Sequence, residues 1–207
     1  MDTSFITINT HSSIRIDGGE GAVIYVDPFE IGDAAHDADL ILITHSHFDH
    51  FSPESIAKIA HDGTRFMAPV DMKAQIPHAL LVAPGDVRMP LEGVRVEAVP
   101  AATPGRPFHP RENGWVGYVV ELACGTRIYV AGDTDDLPEN RGIECDIALV
   151  PVGGKYTMDA REAAAFVNAL KPKVAIPEHY GTVAGSAEDG KRFAELVDPG
   201  IEVVFKL

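Results

Sequence analysis

Residues 40–50 read LILITHSHFDH, an apolar run the length of one buried strand followed at once by three histidines and an aspartate in six consecutive positions. No other stretch constrains the fold as much. Imidazole and carboxylate groups are costly to crowd at a strand end unless something binds them. Neutral imidazole nitrogen and carboxylate oxygen are the usual ligands of zinc and its neighbours. A chain built around such a loop must bring further ligands to it from distant parts of the sequence.

The surrounding pattern is one of short strands. SFITIN (4–9), SIRID (13–17) and AVIYVD (22–27) precede LILIT, with the turn-forming cluster Gly18-Gly19-Glu20-Gly21 between the second and third. Ser52 as N-cap and Pro53 at the first helical position predict a helix that ends near Asp62-Gly63. RFMA, a short helical piece near 70–75 and the strand GVRVEAV (93–99) follow. A loop rich in proline and glycine (100–114) separates the halves. Beyond it, WVGYVVEL (115–122), RIYVAG (127–132), CDIALVPV (145–152), KVAIPEH and IEVVFKL read as strands. Asp159 with Glu162 has the form of a capping box opening the helix AREAAAFVNAL, and another helix is expected over 188–197. Strands with few, late helices predict two sheets that carry helices on their outer faces. A chain of 207 residues with 45% hydrophobic content is expected to form one domain, 1–207, with a sizeable core.

Charge narrows the partners. With 31 acidic against 17 basic residues the formal net charge is −14, a field that repels nucleic acid and anionic membranes. No segment approaches the ~18 apolar residues of a membrane span, and MDTSFITINTHSS has neither the basic nor the apolar region of a signal peptide. Cys124 and Cys145 lie far apart, form no C-x-x-C, and are expected to stay reduced. The expectation is a cytoplasmic protein acting on a small molecule, with no nucleic-acid or membrane partner.

Four strand ends carry candidate ligands. They are His45, His47, Asp49 and His50 after LILIT, His109 in the central loop, Asp133 in AGDTD, and His179 in PEHYGT. Five histidines and two aspartates suffice for two metal ions with one bridging carboxylate. Each has a blander reading: a proline-flanked loop histidine for His109, an Asx-turn for Asp133, a strand-end histidine for His179. His36, His61 and His78 are read as non-ligands. His11, at a strand-to-strand turn, is read as lining the pocket.

HSHFDH matches the H-x-H-x-D-H signature of the metallo-β-lactamase superfamily, and Asp27 in VDPF, a loop histidine, GDT and a late histidine follow that superfamily's order. HSS near the start, GWVGY, GDTD, PVGGKYTM and PEHYGT resemble the small lactonase-related metal-dependent hydrolases within it. The resemblance spans nearly the whole chain and implies an α/β fold, a four-layer αββα sandwich with the site at one edge of the two sheets. It implies that His45, His47 and His109 hold one metal, that Asp49, His50 and His179 hold the second, that Asp133 bridges them, and that Asp27 orients the metal loop. No cysteine stands at a ligand position, unlike penicillin-type hydrolases, and position 47 is His where flavodiiron proteins carry Glu.

The expected cofactors are two divalent ions, zinc first, with manganese or iron as alternatives. Two such ions share a water and lower its pKa, and Asp49 is expected to be catalytic by accepting a hydrogen bond from that nucleophile. Hydrolysis of a lactone, ester or amide is the leading expectation. A phosphodiesterase for small nucleotides or phospholipid head groups, and a non-hydrolytic mononuclear iron protein, remain alternatives. Lys155 in PVGGKYTM, with Arg106 and Arg111 around His109, raises the expectation of an anionic substrate. His11, Lys155 and Tyr180 are the candidate substrate-binding residues, the Tyr180 hydroxyl orienting the substrate.

Overall fold

Within each strand, successive side chains point to opposite faces, and in the central parallel strands both faces are apolar. The computed structural model describes residues 1–19 and 21–207, so Glu20, within the turn expected at 18–21, lies outside the described residues. The first sheet holds β1 (Ile6–Ile8), β2 (Ile14–Asp17), β3 (Val23–Val26), β4 (Leu40–Leu42), β5 (Arg65–Pro69) and β6 (Leu80–Val82), in that order. The second holds β7 (Val87–Leu91), β8 (Val94–Pro100), β9 (Val116–Glu121), β10 (Arg127–Val130), β11 (Ile147–Pro151), β12 (Val174–Glu178) and β13 (Glu202–Val203), also in sequence order. Helix α1 (Pro53–Ile59) follows β4, α2 (Ala160–Leu170) follows β11, and α3 (Ala187–Leu196) follows β12.

Ile24, Val26, Leu40 and Leu42 of the first sheet meet Val96, Val120, Val130, Leu149 and Ile176 of the second in one core. Their neighbours Tyr25 and Ile41 face the other way, onto Ile59 of α1. On the far side, Tyr129, Ala148 and Ala175 face Phe166 and Val167 of α2 and Phe193 of α3. The layers are therefore α, β, β, α, as the sequence pattern predicts. Asp159 caps α2 in a reciprocal capping box with Glu162, and Ser52 caps α1. Two strands escape the sequence pattern. β6 and β7 each lie at an edge of a sheet, are only partly buried, and β7 contains Pro90, a residue tolerated only where no ladder bond is needed. The last strand is shorter than IEVVFKL suggests, pairing only through Glu202 and Val203.

β3 to β6 run parallel, as do β10 to β13. Parallel strands within a sheet deliver their carboxyl ends to one edge, where the polar loops begin. The two sheets are tied together at that edge. The Tyr118 hydroxyl donates to the Ile43 carbonyl at 2.7 Å, the Val116 amide to the Thr44 carbonyl at 3.2 Å, and the His179 amide to the His11 carbonyl at 3.2 Å. No described helix is long and apolar enough to cross a membrane.

The strand crossing near this edge depends on Gly117, where an added Cβ would lie 2.5 Å from the Ala131 carbonyl oxygen and 2.7 Å from that of Val130. Gly117→Ala should lower the unfolding free energy by about 2 kcal/mol or more, since backbone atoms have little room to give. Gly32→Ala, where the Cβ meets nothing within 4 Å, should stay within about 0.5 kcal/mol of wild type. Urea denaturation of the two variants measures both. Equal midpoints would refute the close approach.

Candidate metal centre

The site begins with a buried carboxylate. Asp27, just past β3, accepts hydrogen bonds from the Thr44 amide at 2.8 Å, the Thr44 hydroxyl at 2.5 Å and His50 Nδ1 at 2.7 Å. Because Nδ1 of His50 donates to Asp27, its Nε2 is left facing the site. Within the loop, the amides of His50 and Phe51 both donate to the His47 carbonyl, at 3.0 and 2.8 Å, closing the turn that runs into α1. His11, Asp27 and His179 all adopt the left-handed backbone region, with φ of 51°, 48° and 58°. Such geometry is uncommon for non-glycine residues and tends to gather where function demands a side-chain direction.

Besides the group formed by Asp27, His45 and His50, two clusters of ligating atoms result. One comprises His45, His47 and His109, the other His11, Asp49, His50 and His179, each with its nitrogen and oxygen atoms within 4.8 Å of one another. Asp133 sits between them. Its Oδ2 lies 3.1 Å from Nε2 of both His109 and His179, and its Oδ1 lies 3.3 Å from Nε2 of His50. Despite these distances, Nε2 of His11, His50, His109 and His179 and Oδ1 of Asp133 have no aligned hydrogen-bond partner. The spacing matches ligand atoms on a shared cation, which for zinc–nitrogen bonds of 2.0–2.1 Å in a tetrahedron stand about 3.3 Å apart. The unpaired nitrogens of His11, His50, His109 and His179 around Asp133 fit bound metal, while in the first cluster Nε2 of His45 lies 3.0 Å from Nδ1 of His47.

Electrostatics agree with that fit. Burial pushes the His45 imidazole well below its usual pKa, aided by repulsion from His50, which favours the neutral ring that metal ligation needs. Burial also opposes charge on His50, yet Asp133 and Asp27 outweigh it and raise that group well above its usual value. Burial works against ionised Asp133 too, but His179 and His50 hold its carboxyl well below the carboxylate range. This corner therefore attracts positive charge strongly.

All seven expected ligands, His45, His47, Asp49, His50, His109, Asp133 and His179, come together at this edge. His11, expected to line the pocket, is instead fully buried behind the cavity floor. Its Nε2 is 3.3 Å from Asp49 Oδ2, its ring centroid is 3.8 Å from that of His179, and Thr182 Oγ1 lies 3.2 Å from its Nδ1. Trp115, which sequence reasoning did not single out, walls the first cluster, its ring 4.8 Å from His45 and 4.9 Å from His47. Its only sequence signal was its place in GWVGY.

The other expected substrate contacts fall elsewhere. Tyr180 packs on Gly190 of α3, where an added Cβ would lie 2.7 Å from the ring, and borders a separate cavity of about 650 Å³. Lys155 is exposed, with its Nζ 4.5 Å over the Tyr156 ring and off the site's wall. Arg106 pairs with Glu162 at 3.0 Å and Asp135 at 3.5 Å, and Arg111 pairs with Glu139. His36 contacts the Ala60 carbonyl, His61 the Gly63 amide and His78 the ring of Phe66, away from the clusters as expected. Both cysteines are free thiols. The clusters open onto a cavity of about 270 Å³ floored by His47, Asp49, His109, Asp133 and His179.

Comparison with known proteins places this geometry in context. Residues 5–179 match the family model described as a beta-lactamase superfamily domain. The chain is similar to a UPF0173 metal-dependent hydrolase of Thermococcus onnurineus, with 33% identity covering 94% of this chain and 92% of the relative. A crystal structure from Parabacteroides distasonis is 33% identical with a TM-score of 0.85, covering 98% of this chain and 92% of that one. A metallo hydrolase from Ignicoccus hospitalis, 23% identical with a TM-score of 0.76 over 97% of this chain and 93% of its own, shares the fold.

Asp27 generates a test of the whole arrangement. Asp27→Ala leaves the Thr44 amide and the His50 imidazole without their buried partner, and should cost about 3–5 kcal/mol of stability. It should also weaken zinc binding about 10- to 100-fold, since His50 loses the group that orients it. Asp37→Ala, which removes a part-exposed partner of Arg15 and of the Tyr25 hydroxyl, should cost less, about 1–2 kcal/mol. Chemical denaturation and zinc calorimetry on both variants check this. An Asp27 variant as stable as the Asp37 variant would remove the anchor from the account.

Proposed function

This chain belongs to the beta-lactamase superfamily and is a metal-dependent hydrolase, and we propose that its two ligand clusters hold two divalent cations that act on a small lactone, ester or amide. The observation that carries the reading is the convergence of unpaired imidazole nitrogens from separate strand ends around the Asp133 carboxylate. His45, His47 and His109 would hold one ion, Asp49, His50 and His179 the other, with Asp133 shared and His11 beside the second group. Bound there, the ions would lower the pKa of a water from about 15.7 toward 7 and polarise a carbonyl oxygen.

The chain's own groups then direct the reaction. Asp49, on the cavity floor, accepts a hydrogen bond from the attacking water and aims its lone pair at the carbonyl carbon. His11, 3.3 Å from Asp49, steadies that carboxylate. The water oxygen bonds to the carbonyl carbon, the bond from that carbon to the leaving oxygen or nitrogen breaks, and the water's proton ends on the leaving atom. No serine or cysteine nucleophile is needed. Zinc suits this donor set, and manganese or iron are compatible with it.

Metal-replete protein should contain two equivalents of metal by elemental analysis and open simple lactones or cleave esters. Asp133→Ala should abolish turnover and weaken retention of both ions, because the shared carboxylate serves both charges. His78→Ala should retain both ions, since its ring packs on Phe66. One equivalent in wild type, or two tightly held in Asp133→Ala, would overturn the shared-ligand assignment.

A further inference from the structure

The rim above the candidate ligands is apolar. Phe48, Phe108 and Val183 are 69%, 38% and 39% exposed, high for side chains of this type, and all three line the cavity together with Tyr156. They come from three different loops. Phe48 sits inside HSHFDH, Phe108 directly precedes His109, and Val183 follows β12. Single exposed apolar residues are ordinary on a protein surface, but a ring of them around one opening marks a binding site. The ring is also braced: Phe108 meets Tyr156 edge-on at 4.8 Å, and Phe48 meets Phe29 edge-on at 6.0 Å.

No lysine or arginine lines this cavity among the described residues. The basic side chains expected there have other partners, Arg106 and Arg111 carboxylates and Lys155 the ring of Tyr156. A net charge of −14 adds long-range repulsion of anions. The anionic substrate expected from Lys155, Arg106 and Arg111 therefore has no built contact. A volume of about 270 Å³ lies at the small end of sites for small molecules, so the occupant is compact.

We infer that the substrate is a small uncharged molecule in which one compact apolar or aromatic group adjoins the hydrolysable carbonyl, and that Phe48, Phe108, Tyr156 and Val183 select it. This rests on the metal-hydrolase reading, which supplies the carbonyl-polarising floor. The collar acts by removing apolar surface from water and by excluding water from the floor beneath it.

Three hydroxamates that chelate metals alike and differ in their side group test this without depending on turnover. Calorimetry on the zinc-loaded full chain should show benzohydroxamate binding about tenfold or more tightly than acetohydroxamate, the scale expected for burying a ring. Succinomonohydroxamate, with its added carboxylate, should bind no better than acetohydroxamate. In Phe48→Ala and in Phe108→Ala the ratio of benzo- to acetohydroxamate affinity should fall toward one, a ratio that does not depend on how much protein is competent. Equal affinities for the two neutral probes in wild type would overturn the collar and leave the metal reading intact. Tightest binding of the carboxylated probe would overturn it in favour of an anionic substrate. If no hydroxamate bound to zinc-loaded protein, the metal reading itself would fail, and the selection argued from it would fall too.

Discussion

The carboxylate of Asp27 is the interaction on which the site's construction depends. An ionised group buried at a strand end is tolerable only when its lone pairs are satisfied. Here the backbone and hydroxyl of Thr44 and the ring of His50 satisfy them. The consequences reach beyond one residue. Thr44, held by Asp27, accepts the Val116 amide from the second sheet, so the same strand end joins the two halves. His50, held by Asp27, turns its other nitrogen toward Asp133, which belongs to that second sheet. A single buried charge thereby orients the metal loop and sets where the sheets meet.

Asp133 is the counterpart from the other side. It lies beyond β10 and faces imidazoles that come from both sheets and from the long central loop. Its position requires Gly132, whose φ of 64° turns the chain after the strand while Thr44 side-chain atoms lie 3.2 Å from where a Cβ would stand. Rigid sheet ends on both sides give the ligating atoms their spacing, while strain at His11, Asp27 and His179 gives them direction. Chemistry and selection are also separated in space. Polar groups anchored to strand ends form the floor, and apolar residues on the loops form the rim. Phe48 and Phe108 adjoin floor residues in the same loops, so the rim can change by side-chain substitution while the loop backbone that holds the floor is kept.

Strand periodicity made most of the fold legible from the sequence. LILI, RIYVA and DIALV are apolar on both faces, so they had to be central strands covered on each side, and the two capped helices supplied that cover. The edge strands β6 and β7 were not legible, because β6 is only Leu80–Val82 and β7 carries Arg88 and Pro90, so neither shows such a pattern. The candidate ligands were legible because ligand chemistry restricts residue type so severely, and because H-x-H-x-D-H puts four donors in one turn.

Residue chemistry and local period alone determined the alternating layers, the identity of the seven candidate ligands and the strand ends that carry them. Tertiary structure decided which way the remaining side chains face. Tyr180 follows His179 directly, yet one turns toward Asp133 and the other toward Gly190, because the left-handed backbone at His179, just past β12, redirects the chain between them. Arg106 looked available until Glu162, 56 residues away, was brought beside it, and Arg111 until it met Glu139, 28 residues away. Whether a charge is free, or an aromatic ring lines a cavity, depends on partners distant in sequence, and only the packed chain supplies them.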